Sequence, residues 1–200
     1  EQALLVATRE GDLPALLAPT DRLVVNDSRV IPARVLGRKE LSGGAVSLLF
    51  CDFGDPPNVI AMLGGKRLRP GTRIILPEAR VATIVAPLND GLFQLSLDPA
   101  DAPLAWLDRV GHVPLPPYIA RPDSLADRAG YQTVYAEAPG SVAAPTAGLH
   151  FTRALIERLD ARGPQISRVT LHVGPGTFLP IRVDALDEAA MQAGLRGTPP

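Results

Sequence analysis

Between residues 38 and 98 the chain carries short apolar runs, AVSLLF, NVIAML, RIIL, RVATIVA and LFQLSL, separated by turn signals such as SGG, GDPP, LGG, RPG and NDG. Runs of this length are too short for an amphipathic helix, and the turns between them are too short for parallel crossovers. Antiparallel pairing of neighbours remains, so the stretch reads as a small barrel or sandwich. Asp90-Gly91, between RVATIVAPL and LFQLSL, is the clearest hairpin signal, because both residue types accept the positive φ of a tight turn.

The flanking sequence has a different texture. Residues 10–18 read as a short helix and 23–25 as a buried strand that ends in the polar run Asn26, Asp27, Ser28, Arg29. A second strand is expected over 30–37, with Pro32 marking a start or an edge. Pro103 opens a helix that Gly111 closes, and the Pro-rich GHVPLPPYIARPD reads as an ordered linker. Thr152 caps a further helix whose apolar face is Leu155, Ile156 and Leu159, ending near Gly163. In a strand over 165–173, Val169, Leu171 and Val173 share one face and Arg168, Thr170 and His172 the other. It runs into the turn Gly174-Pro175-Gly176-Thr177-Phe178, and the terminal DALDEAAMQAGLRGTPP begins as a helix and dissolves into a Gly/Pro tail. The expected fold is therefore a mixed α/β (α+β) domain formed by residues 1–37 and 99–200, with a small antiparallel β-barrel domain inserted at 38–98.

Composition narrows the classes. With 46% hydrophobic and 20% charged residues the chain is folded rather than disordered. No window is apolar enough to span a membrane and the first residues lack the order of a signal peptide, so a cytoplasmic location is expected. Cys51 ends the run VSLLFC and reads as a buried structural thiol. The net charge of −1 conceals two cationic clusters: Arg29, Arg34, Arg38 and Lys39, and then Lys66, Arg67, Arg69, Arg73 and Arg80 against Glu78. Each is open to a solvated-surface reading or to phosphate contact. There is no G-x-S-x-G, P-loop or H-E-x-x-H motif, and His112, His150 and His172 lack metal-ligand spacing, so no metal is expected.

Three polar constellations lie at strand ends or helix starts, where α/β proteins gather ligands. They are Asn26 to Arg29, Thr146 to Thr152, and His172 to Thr177. His150, near Gly148 and ahead of a helix, suits either proton transfer or a packing and capping role. His172 precedes Gly174 and Gly176, whose missing side chains let a ligand approach, although the G-x-G lacks the third glycine of a dinucleotide site. Asn26, Asp27 and Ser28 alone suggest an Asx-type turn.

Taken together, NDSRVIPARVLGRK (26–39), GHVPLPPYI (111–119), YQTVYA (131–136), GSVAAPTAGLHFT (140–152) and VTLHVGPGTFLPI (169–181) resemble the S-adenosylmethionine:tRNA ribosyltransferase-isomerase family of queuosine biosynthesis. The resemblance covers residues from about 21 to 183. It implies an enzyme with S-adenosylmethionine as co-substrate. The ribosyl part is transferred to the aminomethyl group of a 7-deazaguanine at the tRNA wobble position and rearranged, giving epoxyqueuosine with adenine and methionine released. The fold it implies, an α/β domain with an inserted barrel, agrees with the pattern reading. In the matching motifs, His150, His172 and Thr146 are the expected catalytic residues. Asn26, Asp27, Arg29, Arg34, Gly148, Gly174, Gly176 and Thr177 are the expected substrate-binding residues. Lys66, Arg67, Arg69 and Tyr131 are expected to meet the tRNA anticodon loop, with Tyr118 and Tyr135 as further stacking candidates. A monomer is expected. The family's later motifs have no counterpart after residue 183, so the alternative expectation is a truncated, inactive relative that binds tRNA or a nucleoside without turnover.

Overall fold

The computed structural model describes residues 12–115, 119, 121–174 and 176, and the backbone of 195–197. After α1 (Leu13–Leu16) come β1 (Arg22–Asn26) and β2 (Ser28–Val30), and then the barrel strands β3 (Arg34–Lys39), β4 (Ala45–Asp52), β5 (Asn58–Gly64), β6 (Arg73–Ile75), β7 (Val81–Pro87) and β8 (Leu92–Asp98). These six close in the order β3-β4-β5-β8-β7-β6, every neighbouring pair antiparallel. Alternate residues point inward, as in Val46, Leu48 and Phe50 of β4, and all three are almost wholly buried. At the β7–β8 turn Asp90 and Gly91 have φ of 58° and 75°, the backbone that the Asp-Gly signal foretold.

Described residues outside these strands pack partly on the barrel. The barrel core runs on through Ile31, Ala33 and Val142 to Trp106 and Leu107 of α2 (Pro103–Val110). Arg80, counted above with a cationic cluster, is a core residue instead. Its guanidinium lies 4.8 Å from the Trp106 ring centroid and donates through Nη2 to Asp101 O at 3.0 Å. Next come α3 (Leu125–Gly130), β9 (Ala138–Ser141), α4 (Arg153–Arg162), β10 (Gln165–Val169), β11 (Leu171–Val173) and β12 (Leu195–Gly197). Among the described residues three two-stranded sheets result: β1 with β10 and β2 with β9, both parallel, and β11 with β12, antiparallel. Thr152 caps α4 by accepting the Leu155 N–H at 3.1 Å, Gly163 closes it at φ 103°, and Leu155 and Leu159 are buried, as expected.

Several expectations are corrected. The helix read over 10–18 is only α1 among the described residues. The strand read over 30–37 is two strands, because the chain turns at Pro32 to leave β2 and enter the barrel, so β3 becomes the sixth barrel strand. The strand read over 165–173 breaks at Thr170: the Asn26 side chain takes the N–H and carbonyl of Leu171 that a continuous ladder would use, Asp27 accepts the Thr170 hydroxyl, and Val169 is left exposed. Residues 195–197, expected in a tail, form β12. The helical start expected before them lies outside the described residues.

Candidate functional site

The ends of β1 and β10 are tied together by the first polar constellation. Asn26 Nδ2 donates to Leu171 O at 2.9 Å, and its Oδ1 accepts the N–H groups of Leu171 and Ser28, each at 3.1 Å. The second of these is the expected Asx-type turn. Asp27 is buried. Its carboxylate accepts the Thr170 hydroxyl at 2.7 Å, and its carbonyl accepts the N–H of Glu137 at 2.7 Å and of Ala138 at 3.2 Å. Both residues thus hold three remote segments in register.

Ser141 joins the same segments from the other side. It and Ser28 are fully buried, and the Ser141 hydroxyl donates to Ser28 Oγ at 2.8 Å while accepting the Val173 N–H at 2.9 Å. His172, between the two clamped residues of β11, is half-buried. Its Nδ1 is buried without a hydrogen-bond partner among the described residues. The imidazole lies over Gly140, where an added Cβ would stand 2.8 to 3.0 Å from Cε1, Nδ1 and Nε2. Gln132 closes the free edge of β2: its Oε1 accepts the Val30 N–H at 3.0 Å and its Nε2 donates to Val30 O at 2.7 Å.

From Ser141 the chain continues through Val142 and Ala143, whose N–H groups both donate to Val173 O, into a 3-10 turn spanning Thr146–His150. Thr146 and His150 are exposed on this turn, and Gly148 is buried beneath them. A Cβ at Gly148 would collide with the Tyr135 hydroxyl and lie 2.6 Å from Thr133 Cγ2. Tyr135 packs edge-on to Phe151, with ring centroids 5.9 Å apart, and burial pushes its phenol above the ordinary value. The segments carrying Asn26, His172 and the His150 turn are therefore bonded into one construction. Ser28, Gln132, Thr133, Gly140 and Ser141 are structural parts of it that the motifs contained without advertising, since the Ser28–Ser141 bond spans 113 residues.

The other expected site residues are less closely tied to this cluster. Arg29 is exposed on β2, and Arg34 is half-buried at the start of β3, its backbone paired with His112. Tyr131 packs against the small core of Val30, Val113, Leu115 and Ala144. Lys66, Arg67 and Arg69 are exposed on the β5–β6 connection. Lys39 Nζ donates to the carbonyls of Lys66 and Arg67, which shapes that turn, while Arg73 is taken by Glu40 at 2.7 Å. An open groove of about 810 Å³ lined by Leu36, Arg38, Lys39, Gly64 and Ile75 runs beside it. Thr177 and Tyr118 lie outside the described residues; Gly174 and Gly176 are half-buried. No group of His, Cys, Asp and Glu able to hold a metal occurs among the described residues.

Fold and cluster define a mixed α/β protein with a closed six-stranded barrel and a polar site at strand ends. The model of the Queuosine biosynthesis protein family matches residues 3–195, and the chain belongs to that family. It is 51% identical over 184 residues to a relative from Rhodospirillum rubrum and 48% identical over 204 residues to one from Anaeromyxobacter sp. (strain Fw109-5), covering 92% and 95% of this chain. Both relatives are named S-adenosylmethionine:tRNA ribosyltransferase-isomerase, and the chain spans only 53% and 58% of their lengths. A solved S-adenosylmethionine tRNA ribosyltransferase from Thermotoga maritima matches at 27% identity and a TM-score of 0.37, over 82% of this chain and 44% of that one.

Proposed function

We propose that this chain carries the ribosyl-transfer chemistry of its named relatives. It moves the ribosyl part of S-adenosylmethionine to the aminomethyl group of a 7-deazaguanine at the tRNA wobble position and isomerises it, giving epoxyqueuosine with adenine and methionine released. The observation that carries the reading is the bonding of Asn26 and Asp27 to Thr170 and Leu171, with Ser141 bridging Ser28 and Val173, which unites three separate motifs around His172.

The substrate sets the chemical demands. A sulfonium acidifies the neighbouring C5′ protons, so a base must collect one; the tRNA amine must lose a proton to attack; and departing adenine needs a donor. Imidazoles titrate in the right range for this traffic, which assigns proton transfer to His150 and His172. Thr146 and Thr177 orient polar groups of the ribose or methionine, Asn26 and Asp27 hold the wall, and Arg29 and Arg34 flank it. Lys66, Arg67 and Arg69 contact tRNA phosphates, and Tyr131 stacks on a splayed anticodon base.

The test is incubation with S-adenosylmethionine and tRNA bearing the 7-aminomethyl-7-deazaguanine base. Adenine and methionine release is expected, with a loss of about 100-fold or more for His150→Ala or His172→Ala. Near-normal turnover in both folded variants would defeat the proton-transfer assignment. Because the chain spans little more than half of its relatives' length, a second reading is a binding-only member. Tight tRNA binding with no adenine released would favour it.

A further inference from the structure

We infer that Gly140 and Ser141 are positioning residues that fix the plane and depth of the His172 imidazole, an inference resting on the reading of His172 as a group of the reaction site. β11 has only three residues, and both neighbours of His172 are clamped. Asn26 grips the N–H and carbonyl of Leu171; Ser141 Oγ holds the N–H of Val173, whose carbonyl accepts from Val142 at 2.8 Å. The His172 Cα therefore has little freedom, and the orientation of its ring is decided by what the ring rests on.

That support is a β-bulge. The β2–β9 register runs Arg29 opposite Pro139 and then Val30 opposite Ser141, so Gly140 is skipped. The bulged residue has φ 146°, where a side chain is strained, and the imidazole occupies the space a Cβ would need. One glycine thus supplies the bend that turns Ser141 inward and the flat seat for the ring. The two buried serines complete the device. Buried hydroxyls are costly unless hydrogen-bonded, and the chain Val173 N–H to Ser141 Oγ–H to Ser28 Oγ satisfies them while setting the height of β11 above Gly140. Nδ1 is turned inward, without a hydrogen-bond partner among the described residues, so packing against Gly140 rather than a hydrogen bond orients the ring.

The test is imidazole NMR of the 200-residue protein together with a mutant cycle. A nuclear Overhauser effect between His172 Hε1 and the Gly140 Hα protons is expected. Gly140→Ala and Ser141→Ala should each displace the His172 Hε1 resonance while leaving that of His112, held by Asp123 on another segment, in place. Absence of the Overhauser effect, or unmoved His172 signals in both variants, overturns the inference. If Gly140→Ala does not fold, Ser141→Ala decides by the same signals. In the adenine-release assay Gly140→Ala should lower kcat about 10-fold or more with KM for S-adenosylmethionine within about twofold. Gly140→Ala with His172→Ala should be no worse than His172→Ala alone, whereas additive losses mean that Gly140 acts independently of His172 and overturn the positioning role. A wild-type chain that releases no adenine defeats the functional reading only, and the NMR signals still decide the positioning.

Discussion

A methyl group placed on Gly148 has to displace the Thr133 methyl, 2.6 Å away, and the Tyr135 hydroxyl, in a corner where Phe151 already braces the tyrosine ring. Close packing leaves no slack there, so Gly148→Ala is expected to destabilise the protein by about 1–3 kcal/mol. Urea unfolding measures it, and an unchanged midpoint would mean that the turn relaxes freely. Cys51 is the contrary case. It is half-buried against the barrel core rather than fully buried as read from its run; its thiol donates to Leu49 O at 3.1 Å, and burial pushes its pKa up to about 11, which keeps it in the thiol form.

At the level of elements, α3 shows how much a single carboxylate can organise. Asp127 accepts the Ser124 N–H and hydroxyl, both at 2.7 Å, in a capping box, and also receives Arg121 at 2.7 Å. These partners hold its pKa well below the ordinary 3.8, the Arg121 hydrogen bond being the largest cause. A depressed carboxylate contributes stability that is present above its unfolded pKa and lost as pH falls through its folded one. Wild type should therefore exceed Asp127→Asn by a constant margin near neutral pH, and the margin should shrink below about pH 4. Denaturation midpoints across that range test it; a margin independent of pH would assign the effect to shape alone. Elements with local signals, such as the Asp90-Gly91 turn, the Thr152 cap and the Pro103 start, were legible in the sequence because each rests on neighbouring residues. The breaks at Pro32 and Thr170 were not fully legible, since the side chain that replaces the ladder just after Thr170 comes from Asn26, far away in the chain. The three motifs were visible, but their bonding through Ser28 and Ser141 depends on partners far apart in the chain.

For the whole molecule the same division holds: turn spacing announced an antiparallel barrel, whereas the order β3-β4-β5-β8-β7-β6, with β3 drawn in to close it, is a matter of global packing. The barrel also carries the cationic turn of Lys66, Arg67 and Arg69, shaped by Lys39. If these side chains meet RNA phosphates, the triple alanine variant should bind tRNA more weakly and with a shallower salt dependence, the log–log slope falling by about 0.7–0.9 for each phosphate no longer neutralised. Filter binding across a salt series measures this, and an unchanged slope would remove the turn from the RNA surface. Gln132 has a consequence at this scale as well. A buried backbone N–H or carbonyl left unpaired is costly, and Val30 of β2, itself buried, would carry both. The Gln132 amide pairs them by presenting a carbonyl to the Val30 N–H and an N–H to the Val30 carbonyl. One side chain thereby does for this short strand what the backbone of a further neighbour would do, and it does so where no water reaches.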